Sequence, residues 1–468
     1  MFQHPVNFQD IPMTDTKRAF SLLPTVITLA WPTMLENIMA TAVQYIDTAM
    51  VGTLGTRATA AVGSTMTINW LLGGSLYAFG VGFLAYISQA RGAGDQDRIR
   101  STAAQAVMMV IVVGGILTVL TTSLSQLVPV WMRIDPSVRA LASQYFFILY
   151  LPMIPRAASA ILSSVFRACG DTKTPMRIGI FVNLINVILN FFLIFPFRYL
   201  RIGGFIIPIP GADMGVIGAA SASAIALTFG GAATTIALYR HPEISPRDYS
   251  LKPDRTILLP CLRISLPNML QRFATSFGYV FFATMINSLG ELSTAAHTIA
   301  NTVESFFYIP GFGMQAAAAA LTGNAIGKNN EQLRKDTENV IIVLEVFMMI
   351  MSGGLLFVFA PSMVRLFSKD PEVISLCSTI LRMVACSEPF FGVAVVTEGM
   401  LQGAGKTFFP VVINIIGMWG IRMVGAFICT QLIGMGLVSA WGCMICHNLF
   451  LCIVFTIYAQ KTDFTTIA

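Results

Sequence analysis

The sequence predicts an all-α polytopic membrane protein, built as twelve transmembrane helices in two parallel six-helix repeats. Three observations carry this. The chain is 55% hydrophobic and only 11% charged, where a soluble domain carries roughly 25% charged residues. It divides into twelve apolar runs of the roughly 20 residues needed to cross a bilayer. A single register shift also lays its second half over its first.

The runs can be taken in order. The first helix, over 23–46, carries Glu36 and, at its end, Asp47. The second, 66–89, stops at the turn 91-RGAGD-95. The third, 102–125, and the fourth, 138–163, hold no acid, although the fourth holds Arg156. The fifth, 175–196, contains Asn183, Asn186 and Asn190, and the sixth covers 214–238. In the second half the seventh run, 258–288, contains Arg272. The eighth, 296–325, places Glu304 ahead of Pro310, Gly311 and Gly313, where a helix should bend. The ninth, 338–360, is uniformly apolar around Glu345, which reads as the most peripheral acid. The tenth, 373–401, carries Arg382, Glu388 and Glu398, the eleventh, 409–431, carries Arg422, and the twelfth covers 434–458. Backbone groups in lipid must be satisfied within each such segment. A membrane barrel would show shorter, alternating strands, and these runs do not alternate.

The resulting division is a cytoplasmic tail over 1–20, an N-lobe over 21–239, a cytoplasmic linker over 240–256, a C-lobe over 257–460 and a tail over 461–468. The first 20 residues are polar, with Lys17 and Arg18 falling late, unlike a secretory signal with its basic start and apolar core. Lys and Arg concentrate in the tails and in every second loop, as at Arg91, Arg98, Arg100, Arg247 and Lys252; the alternate loops hold fewer, such as Arg57, Arg133 and Arg365. By the positive-inside rule both termini are cytoplasmic, in a multi-pass protein of the cell membrane. The net charge of +6 is accounted for by this loop bias, which gives no support to nucleic-acid binding.

The eight cysteines lie mostly in or beside apolar runs, where free Cys acts as a small hydrophobe; no disulfide framework is expected. Cys443, Cys446 and His447 match the spacing of a c-type haem attachment, but inside the last membrane run there is no room for haem. The four histidines are scattered and offer no metal site. H-E-x-x-H, G-x-S-x-G and a phosphate loop are all missing. An intramembrane enzyme therefore lacks its constellation, no cofactor is expected, and no motif demands an obligate protein partner.

The repeat is direct. WPTMLEN returns as LPNMLQR, so that Pro32 falls on Pro267, 235 residues later. The same shift carries MVGTLG onto MINSLG, Gly92 onto Gly327 and Pro175 onto Pro410. Six helices per half put both halves in the same orientation, related by an axis along the membrane normal. Such halves frame a central path with sites near the midplane, which makes alternating access the natural mode of action.

An acid at a helix centre costs roughly 2.5–3.5 kcal/mol on insertion scales, so embedded acids are functional candidates. Glu36 and Asp47 are eleven residues apart, close to three turns of roughly 3.6 residues. With Asn37 and Gln44 they form a polar seam that should face a cavity. Asn183, Asn186 and Asn190 share a face of the fifth helix. The three amides either cross-link helices or join Asp47 in an oxygen-rich pocket for a small hard cation. The second half holds Phe282 where the first has Asp47, so the carboxylate is not duplicated. Glu304, Glu388 and Glu398 could each pair with an embedded arginine.

The chain resembles the multidrug and toxic compound extrusion (MATE) family along nearly its whole length. The resemblance rests on the run from Pro32 to 45-YIDTAMVGTLG-55, on GAGD at 92–95 and on FRACGDTKTP at 166–175. It continues through MGVIGAASAS at 214–223, AAHTIANTVESFFYIPGFG at 295–313 and EGMLQGAGKTFFP at 398–410. It implies a V-shaped pair of six-helix lobes that exports organic cations and drugs against inward Na⁺ or H⁺. By the same resemblance Asp47, Asn186, Asn190 and Ser223 are the cation-coupling residues and Pro32 the bend of the first helix. Glu36, Gln44, Asn183, Arg272, Glu304, Glu388 and Glu398 are further polar candidates for the cavity. One branch of the family has Asp at the position of Asn190. Another has a seventh-helix Glu and a tenth-helix Asp, where this chain has Thr275 and Phe391. Two rivals share the architecture: a flippase for lipid-linked saccharides, and an exporter of one metabolite.

Overall fold

Each apolar run closes its backbone hydrogen bonds locally, and the computed structural model is accordingly helical along almost all its length. It describes residues 15–63, 65–202, 205–462 and 464. Most of the N-terminal tail (1–14) and nearly all of the last residues lie outside the described residues. Among the described residues, eight helices are long and apolar enough to span a membrane, and counting each of two bent pairs as one span makes ten. The seventh span, Arg255–Asn287, and the eighth, Glu291–Phe307 with Ile309–Gly327, complete the twelve by their place in the repeat.

The repeat governs element boundaries. Helices start at Thr56, Gln96, Pro136 and Lys173, and again 235 residues on at Glu291, Glu331, Pro371 and Phe408. The fourth span breaks by 49° between Tyr150 and Met153, and the tenth by 52° between Ala385 and Glu388, at the same repeat position. Pro152 provides the break in the first case, because proline removes a backbone donor. The halves then part. Between the fifth and sixth spans the chain forms a hairpin unforeseen in the sequence, β1 (Pro196–Ile202) against β2 (Phe205–Ala212). The eleventh span takes wide π-helical turns over Ile416–Met423 and Ile428–Leu432.

Each lobe has its own core. Leu76, Phe83, Phe146, Ile161 and Phe166 centre the first, and Phe282, Ile380, Leu381 and Trp441 the second. The first span belongs to both lobes. Its early residues Leu22, Val26, Leu29 and Ala30 pack on Met314, Ala318, Ile341 and Met400 of the second half. The helix runs unbroken through Pro32, and its later half joins the first lobe. The seventh span mirrors this: Cys261 and Ile264 pack on the first half, and Phe282 and Ile286 on the second.

The lobes meet most closely at the end that bears the basic loops. A Cβ on Gly92 would strike the Asn324 carbonyl, one on Gly327 the Gln89 carbonyl, and one on Gly323 the Ser88 side chain. Gln89 Nε2 donates across the seam to the Gly403 carbonyl at 3.0 Å. Small residues bring backbones close enough for dispersion and hydrogen bonding to hold helices together in lipid.

The linker is strapped to the first lobe. Gln105 Nε2 donates to the carbonyls of Ser250 (3.3 Å) and Lys252 (2.9 Å), and its Oε1 accepts from the Asp254 amide at 3.1 Å. Arg100 donates to the Pro242 carbonyl at 2.9 Å and Tyr249 to Asp97 at 2.5 Å. At its start, burial pushes His241 below the usual imidazole range, against the opposing pull of Asp171. Gln105→Leu is expected to release the strap. Tryptic cleavage within 247–255 should then accelerate roughly fivefold to tenfold, the consequence of losing net hydrogen bonds worth about 1 kcal/mol each; limited proteolysis with mass spectrometry reads this directly.

Candidate functional site

The first, second, fourth, fifth and sixth spans line a cavity of about 300 Å³ in the first lobe. Asp47 comes from the later half of the first span, and the 3.6-residue period brings Gln44 and Thr48 to the same lining. Asn183, Asn186 and Asn190 come from one face of the fifth span, as their spacing suggested, and Ser223 from the sixth.

Asn190 Nδ2 donates to Asp47 Oδ1 at 2.6 Å and to Asn186 Oδ1 at 3.2 Å. The Asn186 amide lies 3.0 Å from Ser223 Oγ. Turned over, it donates to both Asp47 oxygens at 2.9 and 3.0 Å and accepts from Ser223 at 3.0 Å. The choice follows the charge of Asp47. An ionised carboxylate is acceptor-only and wants the nitrogen; a protonated one has a donor and tolerates the oxygen. Asn190 Oδ1 is buried without a hydrogen-bond partner. One carboxylate and several neutral oxygens make a donor set suited to a small hard cation, and among the described residues no cluster of His, Cys, Asp or Glu suits a transition metal.

The remaining sequence candidates are placed elsewhere. Glu36 does not line this cavity; its Oε2 pairs with Arg167 at 2.8 Å. Arg272, on the seventh span, lays its stem on Gly74 and its guanidinium 5.2 Å from the centre of the Tyr77 ring. Glu398 accepts from Gln271 at 3.0 Å, Gln402 at 3.1 Å and Asn414 at 3.5 Å, a network that ties the seventh, tenth and eleventh spans together. Glu304 accepts from Tyr308, one turn on. Glu388 is fully buried, and neither of its carboxyl oxygens has a hydrogen-bond partner. Among the described residues, Glu304, Glu388 and Glu398 form no salt bridge with an arginine.

Glu345 is a correction. It is fully buried, not peripheral. Gly311 and Gly392, from two other spans, leave the room its carboxyl occupies. Its apolar neighbours in sequence gave no hint of this, because the space is made by residues on other helices. The polar-seam reading also missed cavity residues, Arg156 of the fourth span and Asn69 of the second among them. Arg156 was visible as an embedded arginine, but nothing in its spacing connects it to Asp47.

Comparison with known proteins agrees with this architecture. The MatE family model matches residues 32–192 and 267–428, one stretch in each half. The chain is 28% identical over 424 residues to "Probable multidrug resistance protein NorM" of Thermotoga maritima, covering 91% of this chain and 89% of that one. It is 24% identical over 426 residues to "Multidrug resistance protein PmpM" of Pseudomonas aeruginosa, covering 89% and 86%. Among solved structures it is similar to an outward-facing multidrug resistance MATE family transporter of the MOP superfamily. The TM-score there is 0.86 at 20% identity, with 96% of this chain and 98% of that one covered. A MATE structure in a straight conformation gives 0.84 at 22% identity, covering 94% and 95%. These structural likenesses show the two-lobe fold. With the family model matching both six-helix halves in register, the chain belongs to the MatE family.

Proposed function

We propose that this protein is a secondary active exporter of organic cations and drugs, driven by exchange for Na⁺ or H⁺ through alternating access. The observation that carries the reading is the Asp47 carboxylate, held by Asn190 and Asn186 inside a cavity of drug-admitting size. The names of the multidrug resistance relatives support it. The proposal places the protein in the cell membrane with both termini cytoplasmic, and it includes no chemical step.

The mechanism follows from the placement of Asp47. Burial disfavours a bare charge, so a small cation, a proton or a cationic drug each neutralises the same group. An ion drives the cycle only through different affinities in the two states. The first span supplies the lever, because its early half is anchored in the second lobe and its later half carries Asp47 in the first. Loading the pocket changes how the later half sits on the fifth span, and the anchored half transmits that change across the seam.

The test is transport in proteoliposomes loaded with a cationic dye, under an imposed Na⁺ gradient or an imposed pH gradient. Dye movement driven by one gradient supports the reading and identifies the ion. Gradient-independent dye behaviour with folded protein overturns it.

A further inference from the structure

The cavity that holds Asp47 also holds a positive charge. Arg156 lines it together with Asn69, Tyr145 and the fifth-span amides. Its guanidinium donates to Asn69 Oδ1 at 2.6 Å and lies 5.7 Å from the centre of the Tyr150 ring. Among the described residues it has no carboxylate within 4 Å. A guanidinium has five N–H donors in a planar fork; with Asn69 and Tyr150 as its polar neighbours, the fork keeps donors for a ligand in the cavity. Embedded arginines are costly, and when they persist they mark ligand pathways or pair with other groups.

A purely architectural role is argued against by the repeat. Arg156 follows the break in the fourth span, and the tenth span makes the same break at the same repeat position, 52° against 49°. There the equivalent residue is Phe391. The bend therefore forms without an arginine, and the positive charge belongs to this cavity.

We propose that Arg156 forms an anion subsite, so that the cavity accepts zwitterionic organic molecules carrying both a cationic nitrogen and a carboxylate. The carboxylate docks on the fork of Arg156, a bidentate geometry favoured for such pairs, while the cationic pole goes to Asp47. This rests on the proposed export reading for the role of Asp47, but the subsite itself is an equilibrium binding property. A cavity of about 300 Å³ suits a single-ring molecule, at the lower end of the roughly 300–1,000 Å³ of small-molecule sites.

The test is equilibrium binding to the purified full chain in detergent, with no gradient. The probes are tritiated 4-(trimethylammonio)benzoate and its methyl ester, which differ only in the carboxylate charge. The ratio of zwitterion to ester affinity should fall roughly tenfold to a hundredfold in Arg156→Gln, the factor for losing hydrogen bonds to a charged group. Arg156→Lys, which keeps the charge and loses the fork, should fall between the two. Asp47→Asn should weaken both probes together, because both carry the cation. An unchanged ratio in Arg156→Gln overturns the proposal, as does the lack of saturable zwitterion binding to the wild type. If the ratio responds while gradient-driven dye transport fails, the anion subsite stands and the export reading falls.

Discussion

Asp47→Asn is expected to abolish gradient-driven export, by roughly a hundredfold or more, while the protein stays folded. The substitution keeps shape and hydrogen bonding. An amide oxygen at position 47 still accepts from Asn190, now 2.6 Å from the carboxylate, and its nitrogen can donate to Asn186. Removing a buried charge whose neighbours remain satisfied costs little stability and can raise it. The thermal midpoint in detergent should therefore stay within a few degrees of wild type or rise. What the amide cannot do is exchange a proton or neutralise a cation. The difference in ion affinity between the two states disappears, and a ligand with equal affinity for both states shifts nothing. Proteoliposome flux and a melting curve on the same preparation separate the two effects. Unimpaired flux in this variant removes Asp47 from the cycle.

Gly327→Leu should be nearly as damaging for a different reason. A Cβ at this position already meets the Gln89 backbone carbonyl, and the contact is backbone on backbone, with no flexible side chain to move aside. Overpacking of this kind costs roughly 1–3 kcal/mol, occasionally more. Because Gly327 and Gln89 lie on opposite lobes, the molecule relieves that cost by opening the seam. Flux should fall roughly tenfold to a hundredfold as the closed arrangement is depopulated. Spin labels at positions 95 and 328 should report a longer, broader distance distribution. Gly115→Leu is the control, since a Cβ there meets nothing within 4 Å. Equal loss of flux in both variants sinks the argument, since it would show a general intolerance of glycine replacement.

The spans could be read from the sequence because membrane helices are a local solution: each must satisfy its backbone within itself, so its apolar run announces it. The seventh and eighth show where that signal weakens. Arg263, Arg272, Asn268 and Gln271 on one span dilute its apolarity, and there the 235-residue register locates the helix better than hydropathy does. The polar face of the fifth span was legible for the same local reason. Asn183, Asn186 and Asn190 recur at helical spacing, and Asp47 was the one acid near that depth whose charge demanded a cavity.

What surrounds those groups was decided by tertiary structure. Glu36 shares the face of Asp47 by spacing, yet Arg167, 131 residues away, takes its carboxylate. Glu345 is buried because glycines on two other spans make room for it. Arg156 reaches the cavity of Asp47 beside a 49° break in its span. The sequence by itself determined the number of helices, their duplication and the chemical types available at each depth, because lipid imposes those requirements on every segment separately. Only the packing of one helix on another decided which charges are paired, which are bare and which share a cavity, because those outcomes depend on distances between residues that the chain keeps far apart.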